Sequence, residues 1–311
     1  MIIRFLEEKD LDAARKLAYD NYLEECEYTK SLPEIENTPN LSFFIRKGLG
    51  VVAYEGDKLV GFLASFPAWD NAFGSNAKGT FIPIHAHGAV KENRDLIYKR
   101  MYQCFAELLV SKNVLYHGIS FYAHDNAGKM ALFQYGFGMR CCDGIKRLSN
   151  NEITYLNGIT YSELQKENVS KVRELRRGLF YHLHKSPCFM SATEEDFNNW
   201  IKKAETRDTR LFVAKDGAEI VAFFEVTDEG ENFIGGEDLK HFCGAYCKET
   251  HRGKIAYGLL SYIENTLFNE GIRYLGVDFE SFNPTALGFW SKYFEIYTNS
   301  LTRRIDESAL D

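Results

Sequence analysis

The stretch KETHRGKIAYGLL, Lys248 to Leu260, decides the fold prediction, because a strand, a basic turn and a helix meet in it. The segment before it, Leu239–Cys247 (LKHFCGAYC), is strand-like, and an apolar stripe with helical spacing runs from Ile255 to Phe268. The first turn of a helix has unpaired N–H groups and carries the positive end of the helix dipole. Gly253 lets the backbone approach an anion, and Arg252 and Lys254 add positive charge. The pattern predicts a phosphate-binding turn; the alternative is an ordinary solvated turn between a strand and a helix.

An internal repeat predicts two modules. Val52–Phe62 (VAYEGDKLVGF) matches Val213–Phe223 (VAKDGAEIVAF) at an offset of 161 residues. Leu109–Phe121 (LVSKNVLYHGISF) matches Leu267–Phe279 (LFNEGIRYLGVDF) at an offset of 158 residues. Since a repeat this long indicates paired domains rather than a solenoid, we predict modules at residues 1–148 and 158–306, joined by a polar linker near residues 148–157.

Each module reads as an α/β fold. Strand and helix patterns alternate, which favours a mixed sheet with helices on its faces. In the first module we predict one strand over Thr80–Ala89, a helix over Asp95–Lys112 and a strand over Val114–Tyr122. The second module repeats this order from Ile159 to Ile305.

Composition narrows the class of protein. The 311 residues are 45% hydrophobic and 26% charged, which is typical of a globular chain. There is neither a signal-peptide pattern nor a run of 18 apolar residues, so we expect no membrane segment. The net charge of −7 argues against nucleic acid and is compatible with a cationic substrate. Seven cysteines without a regular framework indicate reduced thiols and a cytoplasmic protein; nothing predicts the oligomeric state.

The sequence resembles the GNAT superfamily of acyl-CoA-dependent N-acyltransferases. The resemblance rests on the strand, the basic glycine turn, the helix and the next strand, followed by Asn283-Pro284-Thr285-Ala286 and the aromatic pairs Phe289-Trp290 and Tyr293-Phe294. The segment from Asp125 to Phe137 resembles the same tail in the first module. The resemblance therefore implies two tandem modules, each a central mixed sheet flanked by helices, and acetyl-CoA as co-substrate.

The resemblance also implies which residues bind acetyl-CoA. They are Tyr246, Cys247, His251, Arg252, Gly253, Lys254, Ile255, Ala256 and Asn283. The family's diphosphate loop, Arg/Gln-x-x-Gly-x-Gly/Ala, is matched only in part, because Ile255 or Lys254 stands at the first glycine position, depending on the register. In the first module Arg94 corresponds to Arg252, but Glu92 and Asp95 beside it would repel phosphate, so we predict no cofactor site there.

For catalysis the resemblance implies a base, an acid and a backbone N–H that stabilises the oxyanion. Glu280, at the end of the last strand before Asn283, is the predicted base, with Asp278 second. The family's usual acid is a tyrosine seven residues after the asparagine, where this chain has Trp290. Tyr293 or water is therefore the predicted acid, unless acid catalysis is dispensable. For each carboxylate the alternative is a solvated or capping side chain at the strand end.

A zinc site is a weaker alternative. His241, Cys243, Cys247 and His251 have even spacing along one strand, but structural zinc sites usually draw ligands from two turns, so we expect no metal. The predicted function is transfer of an acetyl group from acetyl-CoA to a primary amine of a small molecule. A non-catalytic acyl-CoA sensor or scaffold with a degenerate site is the alternative.

Overall fold

The computed structural model describes residues 1–47, 49–150, 153, 155–191, 193–230 and 232–310. It divides into two units, the first made of Met1–Asp143 with Glu295–Asp311 and the second of Gly144–Phe294. Both contain mixed strands and helices, so the predicted α/β class is confirmed. No helix in the described part of the chain is long and apolar enough to cross a membrane.

The first unit contains strands and helices from both ends of the chain. They are β1 (Ile2–Phe5), α1 (Leu11–Cys26), α2 (Ser42–Arg46), β2 (Gly50–Glu55), β3 (Lys58–Ala64), β4 (Gly79–Ile82), β5 (His87–Ala89), α3 (Arg94–Val110), β6 (Tyr116–Tyr122), α4 (Asn126–Phe133), β7 (Gly138–Arg147, whose last four residues belong to the second unit) and β13 (Glu295–Arg304). Strands β1, β2, β3 and β5 form an antiparallel sheet. Strand β6 pairs in parallel with β4 and antiparallel with β13.

The single strand predicted over Thr80–Ala89 is wrong. It is two short strands, β4 and β5, which pair with different partners. Pro83 separates them, and the N–H of Ala86 bonds the carbonyl oxygen of Pro83 (2.8 Å) in a turn. Because proline cannot donate to a strand ladder, it marks the point at which the chain leaves the first strand.

The core of the first unit lies between its sheets and helix α3. Ile97, Met101, Phe105 and Leu109 share one face of α3 and are buried, as their spacing of four residues requires. Leu301 of β13 belongs to the same core. The apolar face of the last strand of the chain is therefore buried in the first unit.

The second unit contains the stretch Lys248–Leu260. Its elements are β8 (Ile159–Leu164), α5 (Arg173–His184), α6 (Glu194–Thr206), β9 (Arg210–Asp216), β10 (Glu219–Thr227), β11 (Leu239–Cys247), α7 (Lys254–Asn269), β12 (Tyr274–Glu280) and α8 (Pro284–Trp290). The strand order is β12-β11-β10-β9-β8, in which β11 and β12 are parallel and the remaining pairs are antiparallel. Helix α7 packs on β8, β9 and β10, and α5 packs on β10 and β11.

The two units do not follow the repeat boundaries at one point. Strand β13 falls within the predicted module 158–306, yet it groups with the first unit because it pairs with β6. The predicted linker at 148–157 includes residues 151, 152 and 154, which lie outside the described residues. The tandem duplication itself stays a prediction.

Candidate active site

The turn before helix α7 has the backbone geometry of an anion site. Gly253 precedes the helix with φ 92° and ψ −109°, a conformation in which any residue with a Cβ is strained. Among the described residues no side chain caps this end of the helix. The N–H groups of the first turn are therefore available to a ligand, and the helix dipole favours a negative one.

The three basic side chains of this turn have different surroundings. Arg252 lines a cleft, and its ion pair with Glu249 is long, at 3.7 Å. Nδ1 of His251 lies 2.8 Å from Oγ1 of Thr250, and its Nε2 lies 3.4 Å from Oδ2 of Asp216. Lys254 is exposed. Arg252 is thus the basic residue of the turn that faces the cleft.

The cleft has a volume of about 370 Å³ and lies between β11, the α7 turn and α8, with two residues of α5 in its wall. It brings together six of the nine predicted cofactor-binding residues: Tyr246, Cys247, Arg252, Gly253, Ala256 and Asn283. The other three, His251, Lys254 and Ile255, are not part of its lining.

Strands β11 and β12 separate beside this cleft. Their parallel pairing runs from Leu239–Tyr274 to Phe242–Val277 and ends there, although β11 continues to Cys247 and β12 to Glu280. A register shift in the β10–β11 pairing makes Cys243 the extra residue of a bulge at the same point. The separated part of β11 can therefore present backbone groups to a ligand.

Asn283 has a structural role that its position in the cleft does not reveal. Its Oδ1 accepts hydrogen bonds from the N–H groups of Thr285 (3.2 Å) and Ala286 (3.3 Å), which caps helix α8. His182 of α5 lies 3.3 Å from the same oxygen. The role of Asn283 in cofactor binding stays a prediction.

Trp290 occupies the position of the family's usual acid and is buried among aromatic side chains. Its ring packs against Phe242 (5.2 Å between centroids) and Phe224 (5.5 Å), and it lines the cleft. The indole N–H donates hydrogen bonds but does not release its proton at neutral pH. Trp290 thus supplies an apolar wall.

Tyr293, the predicted acid, is not part of the cleft lining. It stacks on Tyr257 of α7 with 5.0 Å between ring centroids and contacts Phe289, which does line the cleft. Burial raises the pKa of Tyr293, so its hydroxyl stays protonated at neutral pH.

Glu280, the predicted base, ends β12 and also lies outside the lining. Glu280 lies near Cys188. Burial, followed by the charge of Glu280, raises the pKa of the Cys188 thiol. Asp278, the second candidate, is two residues earlier on the same strand and half-buried. Neither carboxylate is placed at the cleft by the present geometry.

The two cysteines of β11 have raised pKa values. Burial, followed by the charge of Glu225, raises the pKa of Cys243 to about 12, and burial raises that of Cys247 to about 11. Both are therefore thiols at neutral pH, whereas nucleophilic cysteines are thiolates. Within the part of the chain that is described, no group of three or more His, Cys, Asp or Glu residues is placed to hold a metal ion.

The first unit has a cleft at the corresponding place. Its volume is about 300 Å³, and its lining contains residues that an offset of 158 relates to the second cleft: Asn21, Glu24, Arg94, Asp125 and Ala127 correspond to Leu179, His182, Arg252, Asn283 and Thr285. Two acidic residues in the first cleft thus stand where the second has a histidine and an asparagine.

Those two acids neutralise the arginine of the first cleft. Arg94 is buried, with Nη2 2.9 Å from Glu24 and Nη1 3.6 Å from Asp125. Burial alone would lower the pKa of Arg94, but the charges of Asp125 and Glu24 raise it. An incoming phosphate would have to displace carboxylates that already occupy this guanidinium.

Sequence reasoning missed two parts of the second cleft. Leu179 and His182 of α5 line it, as does Phe224 of β10. The repeat offset of 158 residues contains this information, because it places α1 and α5 against the same part of each cleft. The buried ion pair Arg176–Glu225, close to the bulge, was also missed.

Comparisons with known proteins agree with this geometry. The model of the Acetyltransferase (GNAT) family matches residues 172–295. A GCN5-related N-acetyltransferase from Sphaerobacter thermophilus aligns with a TM-score of 0.56 at 12% identity, over 97% of this chain and 95% of that one. A conserved protein from Staphylococcus epidermidis aligns with a TM-score of 0.51 at 9% identity, over 82% and 94%.

A third similar structure is named for a sugar substrate, glucosamine. It is a GCN5-related glucosamine N-acetyltransferase region of a fungal multi-domain GH3 β-N-acetylglucosaminidase, with a TM-score of 0.53 at 14% identity, over 97% of this chain and 38% of that one. No curated protein matches the sequence at a significant level. These low identities show a shared fold, and residues 172–295 match the model of the Acetyltransferase (GNAT) family.

Proposed function

We propose that the second unit transfers an acetyl group from acetyl-CoA to a primary amine of a small molecule. The observation that carries this proposal is that Arg252 and the uncapped start of α7 adjoin one cleft, beside the point where β11 and β12 separate. The anionic diphosphate of acetyl-CoA would need the start of α7 with Arg252. The extended acyl arm would need the gap between β11 and β12 beside it.

The residues at the cleft suit the parts of acetyl-CoA. The N–H groups after Gly253 and the guanidinium of Arg252 would bind the diphosphate. Tyr246, Cys247, Ala256 and Asn283 would line the rest of the molecule, against an apolar wall that includes Trp290. His251, Lys254 and Ile255 would add to the surroundings of the diphosphate from outside the cleft lining.

The chemistry then needs two proton transfers. The acceptor ammonium must lose a proton before its nitrogen attacks the thioester carbonyl, and Glu280 is the proposed base, with Asp278 second. A backbone N–H of the separated part of β11 would stabilise the oxyanion. When the C–S bond breaks, the thiolate takes a proton from Tyr293 or from water.

The first unit, corresponding to the predicted module 1–148, has no cofactor site in this proposal. Its arginine at the equivalent position is already paired with Glu24 and Asp125. A carboxylate at the mouth of a phosphate site repels the ligand. Arg94 therefore stabilises the first unit rather than binding a diphosphate.

A non-catalytic acyl-CoA sensor is the second candidate. Trp290 in place of the family's tyrosine, together with Lys254 and Ile255 near the loop's glycine positions, favours it. The two candidates share the acyl-CoA site but differ in turnover.

The test is release of coenzyme A from acetyl-CoA in the presence of a panel of primary amines, with glucosamine included because of the fungal neighbour. An acetyltransferase gives amine-dependent release that Arg252→Ala weakens. A sensor binds acetyl-CoA with the same Arg252 dependence but shows no release with any amine.

A further inference from the structure

A fully buried ion pair joins helix α5 to strand β10 in the second unit. Nη2 of Arg176 lies 3.0 Å from Oε2 of Glu225, and the hydroxyl of Thr209 donates to Oε1 of Glu225 (2.6 Å). Arg176 is 1% exposed and Glu225 4%. Nothing in the proposed chemistry uses either residue.

The first unit does without this pair. The repeat offsets of 158 and 161 residues place Ala18 opposite Arg176 and Ala64 opposite Glu225, and both alanines are buried. Both alanines belong to one buried apolar cluster of the first unit. A buried ion pair is on average no more stabilising than apolar residues in its place.

The pair is also incompletely satisfied. Among the described residues, Nε and Nη1 of Arg176 are buried and have no hydrogen-bond partner. Buried donors left unpaired destabilise a fold, and each one calls for an explanation other than stability. Stability therefore does not explain why the second unit has Arg176 and Glu225 at positions where the first unit has alanines.

Its location gives an explanation. Glu225 faces Gly244 across the β10–β11 pairing, directly beside the Cys243 bulge. A Cβ added to Gly244 would lie 3.3 Å from Oε2 of Glu225, so the carboxylate packs against the β11 backbone at this residue. This is where β11 parts from β12 after Phe242.

Helix α5 touches the same stretch of β11 a second time. A Cβ on Gly178 would lie 2.8 Å from the ring of Tyr246, which lines the cleft. The helix is therefore fixed to β11 at Gly244 through the ion pair and at Tyr246 through ring packing. The stretch Cys243–Tyr246 contains both contacts.

We propose that Arg176 and Glu225 are positioning residues that hold the separated stretch Cys243–Tyr246 of β11 in place, so that its backbone meets the acyl group at a fixed point. They act without touching the substrate. The proposal rests on the acetyltransferase function proposed above, because the fixed backbone is useful only for a bound acyl group.

The test uses the alanines of the first unit. The double variant Arg176→Ala/Glu225→Ala copies Ala18 and Ala64, and Arg176→Met/Glu225→Leu replaces the lost volume if the alanines leave the protein unfolded. The matched control is Arg177→Ala/Glu194→Ala, which removes an ion pair of the same helix on its exposed side. All three are made in the full chain.

Two measurements distinguish a positioning role of the ion pair from a role in stability alone. Amide hydrogen exchange at residues 243–246 should rise at least about tenfold in the buried-pair variant and stay unchanged in the control. With a working amine, kcat should fall about 100-fold, as for a misplaced catalytic geometry, while the Kd for coenzyme A changes less than about threefold.

The outcomes distinguish the two proposals. Unchanged exchange at residues 243–246, or unchanged kcat despite faster exchange, overturns the positioning role. If the wild-type protein turns over no amine, the acetyltransferase proposal fails, and the exchange measurement still decides whether the pair holds the strand.

Discussion

Arg94 and Arg252 lie 158 residues apart at corresponding places in the two clefts, but only Arg94 is buried and paired with two carboxylates. Arg94 contacts Glu24 and Asp125, whereas the positions equivalent to those acids beside Arg252 hold His182 and Asn283. The same side chain is thus an internal structural cation in one unit and a cation facing a cleft in the other.

This difference predicts effects of unequal size on stability. Arg94→Ala leaves Glu24 and Asp125 without their buried counter-charge and should lower the free energy of unfolding by about 3 kcal/mol. Arg252→Ala removes a partly exposed cation and should change it by at most about 1 kcal/mol. Urea unfolding of both variants measures this, with Arg94→Lys as the variant that keeps the charge. Equal losses for the two alanine variants would show that Arg94 is not held as described.

The proposed acid and base predict a pattern of rates. Glu280→Gln should lower kcat/KM by roughly 10²–10⁴-fold if Glu280 is the base, and by far less if it only caps β12. Tyr293→Phe should slow the reaction if its protonated hydroxyl serves the thiolate. Trp290→Phe is the control, because a phenyl ring keeps the apolar wall, and it should retain most of the rate.

The measurement is kcat/KM against pH with one working amine. Both Glu280 and Tyr293 stand outside the cleft lining, so a pH profile close to that of the wild type for both variants would remove them from the catalytic assignment. Such a result would leave the fold and the proposed cofactor site in place.

Buried histidines predict a loss of stability in acid. Nε2 of His87 donates to the carbonyl oxygen of Ser120 (2.5 Å), so the neutral ring accepts from the Tyr98 hydroxyl at Nδ1 (2.9 Å). Burial lowers the pKa of His87 to about 4, and burial does the same for His117. Since the unfolded pKa is about 6.5, the unfolded chain takes up protons first as the pH falls.

The stability from each neutral histidine is therefore complete above about pH 6.5 and is lost as the pH falls towards 4, about 3 kcal/mol per residue. Unfolding free energies between pH 7.5 and pH 4.5 test this with His117→Gln, which should depend less on pH than the wild type. His184→Gln, at an exposed position, should follow the wild type. A His117→Gln curve parallel to the wild-type curve would contradict the assignment.

The elements of the fold were largely predictable, because apolar spacing is a local signal. Helix α3 was predicted at 95–112 and is observed at Arg94–Val110, and the strand predicted at 114–122 is observed at Tyr116–Tyr122. Pairing partners are not local. The grouping of Glu295–Arg304 with the first unit depends on its pairing with β6, which no nearby residue encodes.

The site was predictable in part for the same reason. The turn at Arg252 and Gly253 has a local signature, and both residues line the cleft. Glu280 is predicted from its place at the end of a strand and Tyr293 from its place after Trp290, and neither place determines where the side chain lies in space. Arg176 was missed because an arginine on a helix usually lies on its solvated face, and only the fold buries it against Glu225.

The central claim is that one coenzyme A binds per chain, at the Arg252 cleft and not at the Arg94 cleft. Titration calorimetry of coenzyme A into wild-type, Arg252→Ala and Arg94→Lys protein tests it most directly, at a temperature at which all three are folded. We predict one site per chain, a Kd at least about tenfold higher for Arg252→Ala, and a Kd unchanged for Arg94→Lys. Two sites per chain, or a loss of affinity in Arg94→Lys that equals the loss in Arg252→Ala, would contradict it.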